Sequence, residues 1–419
     1  MPSLGLYSGG INNRAPRGRL PTSKQGMPLF ARNANNMVFD SEGSVFSRPG
    51  PEQVLSGSWL RDGFSCAAGA YFRDGSTIKE FYLNSQGQEA ARDICSGVVG
   101  KRVAWAHFNG KVFFSDNIIA KKIINGVCEN WGTPLPVEAP LLSGSSTLGQ
   151  GQVMACYSYL LDNGQESGTS PVAISSFGRV VSNLKRSPDS RVAAIRVYMT
   201  HPGNETFFLA ATVLPSDTSV TVTSNYVGNL QPPTRGKIPP PSGQLICEHA
   251  GRIYIAKGNV VYWSDPNAHD LFSLGENTNG DPRWAAWQFA SDITLMESVT
   301  GGMYVGSNGT FWIPGSDPYN AERRLVDDSH PELGAIQRVA ESGGLIWKSS
   351  RGFIRGGLNG EVTRMNDANV SMDTSAETAM GSMTLNGTEV VIGVPQQPKA
   401  GKRRSRDWVP DLINDGCEG

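Results

Sequence analysis

Short β-prone apolar runs, punctuated by glycine turns, recur along this chain. The clearest lies in 250–266: Ile253-Tyr254-Ile255, then Lys257-Gly258-Asn259, then Val260 to Trp263, ended by Ser264-Asp265-Pro266. Two such runs joined by a Gly-containing turn predict a β-hairpin. The same form appears at 109–115, 301–306 and 343–348, with a weaker copy at 386–393. The anchoring glycines Gly110, Gly251, Gly302, Gly344 and Gly387 stand 141, 51, 42 and 43 residues apart. Three of these intervals match a β-propeller blade of roughly 40–50 residues. The long interval predicts one blade plus an insertion of about 90–100 residues.

Read in order, residues 1–50 form an extended, Asn/Arg/Pro-rich arm that ends in a hairpin with arms Val38-Phe39 and Val45-Phe46. Its first 30 residues hold too few apolar side chains to fold alone, so they are expected to dock on a neighbouring surface. Residues 51–138 read as two blade-like units, the first part of a propeller. Residues 139–243 change character, opening on Ala139-Pro140 and closing near Pro239-Pro240-Pro241. Alternating strands at 153–161, 194–199, 206–213 and 219–223 put Tyr157 with Tyr159, and Ile195 with Val197, on shared faces. This segment resembles a fibronectin-III-like β-sandwich inserted into a propeller loop. Residues 244–394 resume the propeller, with Trp284, Trp287, Phe289, Trp312 and Trp347 as its aromatic core, and 395–419 form a polar tail. The expected fold is all-β: a propeller of about six blade-like units with an inserted sandwich.

Composition supports this reading. The 419 residues include 49 Gly and 26 Pro, and Asn-Gly occurs seven times, the dipeptide most suited to tight hairpin turns. Lys+Arg of 37 against Asp+Glu of 38 gives a net charge of −1, without the basic excess of a duplex-DNA binder. No run of 18 apolar residues predicts a membrane span, and the N-terminal stretch lacks a signal peptide's basic and apolar regions. The chain is therefore expected to be made in a cytosol. Cys66, Cys95, Cys128, Cys156, Cys247 and Cys417 form no CxxC pair and no zinc spacing; buried free thiols are expected rather than a disulfide framework.

No catalytic motif stands out. His107, His201, His249, His269 and His330 are dispersed, and His249 reads as structural. Residues 277–281 (Asn-Thr-Asn-Gly-Asp) set oxygen ligands on a turn but lack an EF-hand's acidic density, so a solvated turn is expected there. The sequons at Asn204, Asn308, Asn369 and Asn386 read as turn chemistry. No cofactor, no metal and no enzymatic activity are expected. The basic cluster at 399–406 reads either as a solvated tail or as an arm on an acidic neighbouring subunit or DNA.

Several motifs in sequence carry a resemblance. Gly9-Gly-Ile-Asn-Asn-Arg14 precedes Leu20-Pro21. Ala31-Arg-Asn-Ala-Asn-Asn-Met-Val-Phe-Asp40 precedes Ser47-Arg-Pro-Gly50. Farther on come Tyr157-Ser-Tyr159, Asp162-Asn-Gly-Gln-Glu-Ser-Gly-Thr-Ser-Pro171, Ile195-Arg-Val-Tyr-Met-Thr200 and Val261-Tyr-Trp-Ser-Asp-Pro266. Together they resemble the nozzle, or tail tubular, proteins of short-tailed bacteriophages, with a related component of long-tailed phages as a variant. The resemblance implies a virion protein of the tail. Its propeller-based subunits would form a homohexameric ring below the portal and adaptor, extending the DNA exit channel and anchoring fibres or spikes. Genomic DNA would pass without tight binding, which a near-zero net charge suits. A ring needs heterologous interfaces. The candidate subunit-contact residues are Asn12, Asn13, Arg14 and Arg19 in one arm and Lys402, Arg403, Arg404, Arg406 and Trp408 in the other. Two other classes stay open: a peripheral receptor-binding or baseplate component, marked by clustered exposed Trp and Tyr, and a propeller enzyme or unrelated binding module, marked by a polar central pocket with convergent carboxylates.

Overall fold

A computed structural model describes residues 37–39, 45–47, 57, 60–144, 151–176, 179–222, 230–276, 282–284, 286–339, 342–365, 378–385 and 388–395. Among the described residues every regular element is a β-strand and every strand pairing is antiparallel. The N-terminal hairpin pairs Met37–Phe39 with Val45–Ser47, setting Val38 opposite Phe46.

Sheets one and two are four-stranded meanders. Sheet one runs Leu60–Cys66, Gly69–Asp74, Thr77–Leu83, Glu89–Cys95; sheet two runs Ala104–Phe108, Lys111–Ser115, Ala120–Ile124, Val127–Asn130. Sheet three is built on Leu245–His249, Arg252–Lys257, Val260–Asp265 and Ala268–Glu276. It is enlarged by Lys237–Ile238, Pro282–Trp284 and Ala286–Gln288. Sheet four (Leu295–Val299, Gly302–Gly306, Thr310–Pro314, Arg324–Asp327) and sheet five (Pro331–Arg338, Leu345–Ser349, Gly352–Gly356, Val362–Arg364) repeat the meander. Sheet six pairs Thr378–Leu385 with Thr388–Pro395.

The recurring glycines now have a structural meaning. Gly110, Gly251, Gly302 and Gly344 stand at the passage from first to second strand of sheets two to five. Asn109-Gly110 and Ala250-Gly251 both hold two successive left-handed residues, the requirement of a tight hairpin turn. Sheet one makes the same passage through Ala67-Ala68, without Asn-Gly, and so escapes the sequence pattern.

The first strands of the six sheets adjoin in chain order, and residues from all six line one axial cavity. The arrangement is propeller-like. Apolar side chains fill the gaps between neighbouring sheets. Ile78, Val112 and Phe114 lie between sheets one and two, and Phe113, Trp131, Ile253 and Phe272 between two and three. Trp263, Trp287 and Met303 lie between three and four, and Tyr304, Trp312 and Trp347 between four and five. Of the aromatic residues expected in this core, Trp287, Phe289, Trp312 and Trp347 are buried, and the Trp284 side chain lies outside the description.

One expectation is corrected. Cys95 and Cys128 are not free thiols: they form a disulfide joining the outer strand of sheet one to that of sheet two, with Cα atoms 5.7 Å apart. The two cysteines are 33 residues apart, and only the side-by-side packing of the two sheets brings them together. Cys66, Cys156 and Cys247 are free.

Between sheets two and three stands a separate two-sheet module. Its smaller sheet orders Leu141–Ser143, Val180–Ser182, Ser219–Thr221; its larger one orders Ala173–Ser175, Val153–Leu161, Val192–Thr200, Phe207–Val213. Tyr157, Tyr159, Ile195 and Val197 point together into its core. Four of its seven strands, Leu141–Ser143, Ala173–Ser175, Val180–Ser182 and Ser219–Thr221, are three residues long, and only the last falls in an alternating run that the sequence marks.

Candidate functional site

Two features are built from distant parts of the chain: the axial cavity and the seat of the inserted module. The cavity, about 860 Å³, is lined by the middle and C-terminal parts of the first strands. Phe64, Trp105 and Tyr71 form an aromatic wall, with Phe64 stacked on Trp105 at 5.6 Å and 2° between planes. Opposite stand Glu248, Glu297 and Arg338. Arg338 Nη2 donates to Glu297 Oε1 at 2.6 Å and to Ser298 Oγ at 3.0 Å. Burial works against the Arg338 cation, but the Glu297 carboxylate outweighs it and raises its pKa. Burial, reinforced by Glu297, pushes the Cys247 thiol well up, so it stays protonated and is no nucleophile. Burial and then Glu80 raise the Tyr71 phenol.

The other end of the first strands is stoppered. Arg102, just ahead of the first strand of sheet two, donates from Nη1 to Leu333 O at 3.1 Å and from Nη2 to Gly334 O at 3.4 Å. Sheets two and five stand three places apart in the order of the first strands, so this side chain reaches across the propeller-like arrangement. Gly334 makes room for it: a Cβ there would stand 1.5 Å from Arg102 Nη1, and its φ of 67° also favours glycine.

The module's seat centres on the buried carboxylate of Asp270, on the fourth strand of sheet three. Lys122 Nζ, from sheet two, donates to Oδ1 at 2.8 Å, and Gln165 Nε2, from the module, donates to Oδ2 at 2.8 Å. Gly132 N adds a 3.3 Å bond to Oδ1. Burial would raise the Asp270 pKa, but the Lys122 cation outweighs it, and the group lies below the usual carboxylate range. Around this node Trp131 Nε1 donates to His269 O at 2.8 Å, and Arg191 Nη2 of the module donates to Gly132 O at 3.0 Å. Gly168 packs where a Cβ would stand 1.8 Å from Lys237 O. The 162–171 loop also ties down the module's own strand: Ser170 Oγ accepts from Tyr157 N and Ser167 Oγ from Tyr159 N. The Glu166 carboxylate accepts from Ser158 Oγ, Tyr198 OH and Arg196 Nη1.

The nine candidate subunit-contact residues (Asn12, Asn13, Arg14, Arg19, Lys402, Arg403, Arg404, Arg406 and Trp408) lie outside the described residues, as do 277–281, Asn369 and Asn386. The five histidines are not brought together. His107 lines the axial cavity, and the His249 ring shares a 2.8 Å hydrogen bond with Gly315 O. Among the described residues no cluster of three or more His, Cys, Asp or Glu side chains is placed to hold a metal, and no helix is long and apolar enough to cross a membrane. Sequence reasoning missed Asp270, Lys122 and Arg102, because each acts on a partner more than a hundred residues away.

No protein-family model and no curated protein sequence matches the chain. Solved structures with some likeness include virginiamycin B lyase from Staphylococcus aureus, at 11% identity and TM-score 0.33, covering 77% of this chain and 88% of that one. AztD from Citrobacter koseri has 12% identity and TM-score 0.33, covering 83% and 82%. The extracellular domain of BT4673 from B. thetaiotaomicron has 8% identity and TM-score 0.29; the match covers 77% of this chain and 36% of that one. Likenesses this distant say nothing about activity, ligand or partner.

Proposed function

We propose that this chain is a structural subunit of a bacteriophage tail, of the nozzle or tail tubular kind. In this reading the six sheets close as a propeller and the module is a fibronectin-III-like sandwich. Six copies form a ring that extends the DNA exit channel below the adaptor and portal and anchors fibres or spikes. The protein resides in the virion tail after synthesis in the host cytoplasm.

The motif order supports the reading, and one structural observation carries it. The 162–171 loop, one of those motifs, is the segment that seats the module, through Gln165 on Asp270 and Gly168 on the Lys237 carbonyl. A module held on a buried carboxylate by the Gln165 amide, and on the Lys237 carbonyl by close backbone packing, moves with the propeller as one body. A ring subunit must hold its shape in that way while DNA passes. Arg102 lies across the axis, so in this reading the DNA path runs between copies and not through one chain. A cavity of about 860 Å³ suits a small ligand rather than a duplex.

That same cavity favours the second reading, a peripheral receptor-binding or baseplate component. Localisation in assembled particles separates the two. An antibody fragment against the module should decorate virions in a ring around the tail axis, with sixfold order. Label confined to peripheral projections would replace this reading with the second, and unlabelled virions in which mass spectrometry finds no copy of the chain would remove both.

A further inference from the structure

Two more cavities adjoin the axial one on the face that carries the C-terminal ends of the first strands. A cavity of about 500 Å³ between sheets one and two shares Tyr71 and His107 with it and adds Glu80, Arg92 and Asn125. Another, about 450 Å³, between sheets three and four, shares Glu248 and Arg338 and adds Ser298, Thr300 and Ser316. In series they form a trough across the face, from Asn125 through the axis to Ser316. A trough of that form selects an extended ligand over a compact one.

Its chemistry narrows the class. Both guanidiniums in the trough are already matched, Arg92 to Glu80 at 2.7 Å and Arg338 to Glu297 at 2.6 Å. Glu248 adds a further carboxylate, so the trough offers no net positive charge to a polyanion. What it presents is half-buried Phe64 and Trp105, stacked with the buried Tyr71 behind them, facing carboxylates, with hydroxyls and amides spread along its length. A sugar ring has complementary faces: an apolar C–H surface for the aromatic wall and a hydroxyl edge that donates to carboxylates. We propose that this trough binds a neutral oligosaccharide in extended form. The inference does not rest on the tail reading: virion localisation and sugar binding are separate measurements, and either can fail without the other.

Gly63 and Gly381 line the axial cavity, and a Cβ at either position meets nothing within 4 Å. Gly63→Trp and Gly381→Trp therefore add an indole at the cavity lining from positions where the Cβ itself meets no neighbour. Lys101→Trp, at an exposed position at the stoppered end, is the control. The full chain is titrated calorimetrically with neutral hexose oligosaccharides of graded length, chosen from an immobilised panel of neutral glycans, and in parallel with extended uncharged peptides. Circular dichroism checks that each variant is folded. Affinity is expected to rise with oligosaccharide length, to fall at least about tenfold in both cavity-filling variants, and to be unchanged in Lys101→Trp. Failure of every neutral glycan to bind, binding that survives both cavity-filling variants, or binding of peptides alone would overturn the proposal.

Discussion

Replacing Asp270 by asparagine tests whether the module is locked or merely tethered. The change keeps the side chain's shape but removes the charge that faces Lys122, whose side chain is only 3% exposed. It also sets an amide donor against either Lys122 or Gln165, both of which donate to Asp270 in the native seat. Breaking a buried ion pair from one side costs about 3–5 kcal/mol, because the remaining charge stays buried without a partner. The loss is local to the junction, so it should appear in native-state hydrogen exchange of Ala120–Ile124 and Ala268–Asp270 before it appears in global unfolding. At 1.4 kcal/mol per factor of ten, protection there should fall by a factor of about a hundred to a few thousand. The paired change Lys122→Met with Asp270→Leu should recover part of that loss by leaving no charge behind. Protection within about threefold of the native chain in Asp270→Asn would refute the lock.

Three further outcomes follow from the geometry. Gly168→Ala should destabilise the chain by about 1–3 kcal/mol or more, since its Cβ would stand 1.8 Å from Lys237 O and 2.5 Å from Leu135 Cδ2; a thermal midpoint equal to the native one would contradict this. Non-reducing peptide mapping should recover Cys95 and Cys128 in one linked species, and the Cys95→Ala/Cys128→Ala variant should lose about 3–4 kcal/mol for a loop of this length; two separate thiol peptides from the folded chain would refute the bridge. Acid should weaken the fold. Asp116, Asp189 and Asp270 all lie below the usual carboxylate range. Burial opposes the shift in Asp116, but four backbone amides outweigh it; Arg191 lowers Asp189; Lys122 outweighs burial in Asp270. Each contributes fully above an unfolded pKa of about 3.9 and loses that contribution as pH falls through its lower folded value. Asp62, raised by burial, has the opposite sign and acts at higher pH, above the usual carboxylate range. The urea midpoint should therefore drop between about pH 4 and pH 2, and a constant or rising midpoint there would refute the assignment.

The β-architecture was legible in the sequence because its signals are local. Asn109-Gly110 and Ala250-Gly251 announce turns by their own backbone needs, and the runs beside them alternate over few residues. Sheet one was harder to place because its first turn, Ala67-Ala68, carries no such dipeptide. The module's three-residue strands are too short for any period, and its seven-strand, two-sheet form comes from pairing between distant segments. The sites were less legible still. Nothing near Lys122 in sequence indicates that its partner is Asp270, and nothing near Cys95 singles out Cys128 among five other cysteines. Such pairings are set by which sheets become neighbours, a property of closure order and not of local pattern.

Arg102 places a constraint on any ring the chain forms. Opening a passage along the axis would require its guanidinium to leave the carbonyls of Leu333 and Gly334. The backbone around it is shaped for the side chain: residue 334 must be glycine both for its left-handed φ and for the space Arg102 fills. A feature specified twice over is a built stopper. It also links sheets two and five, three places apart in the propeller-like order, so separating one of these sheets would pull on the other. In the tail reading the ring's lumen is therefore bounded by outer surfaces of several copies, and the near-zero net charge of the whole chain constrains only their average. The surfaces that face DNA must then be the ones poor in unpaired cations. In that reading the axial trough, at the end opposite Arg102, stays free to hold a ligand while DNA passes elsewhere.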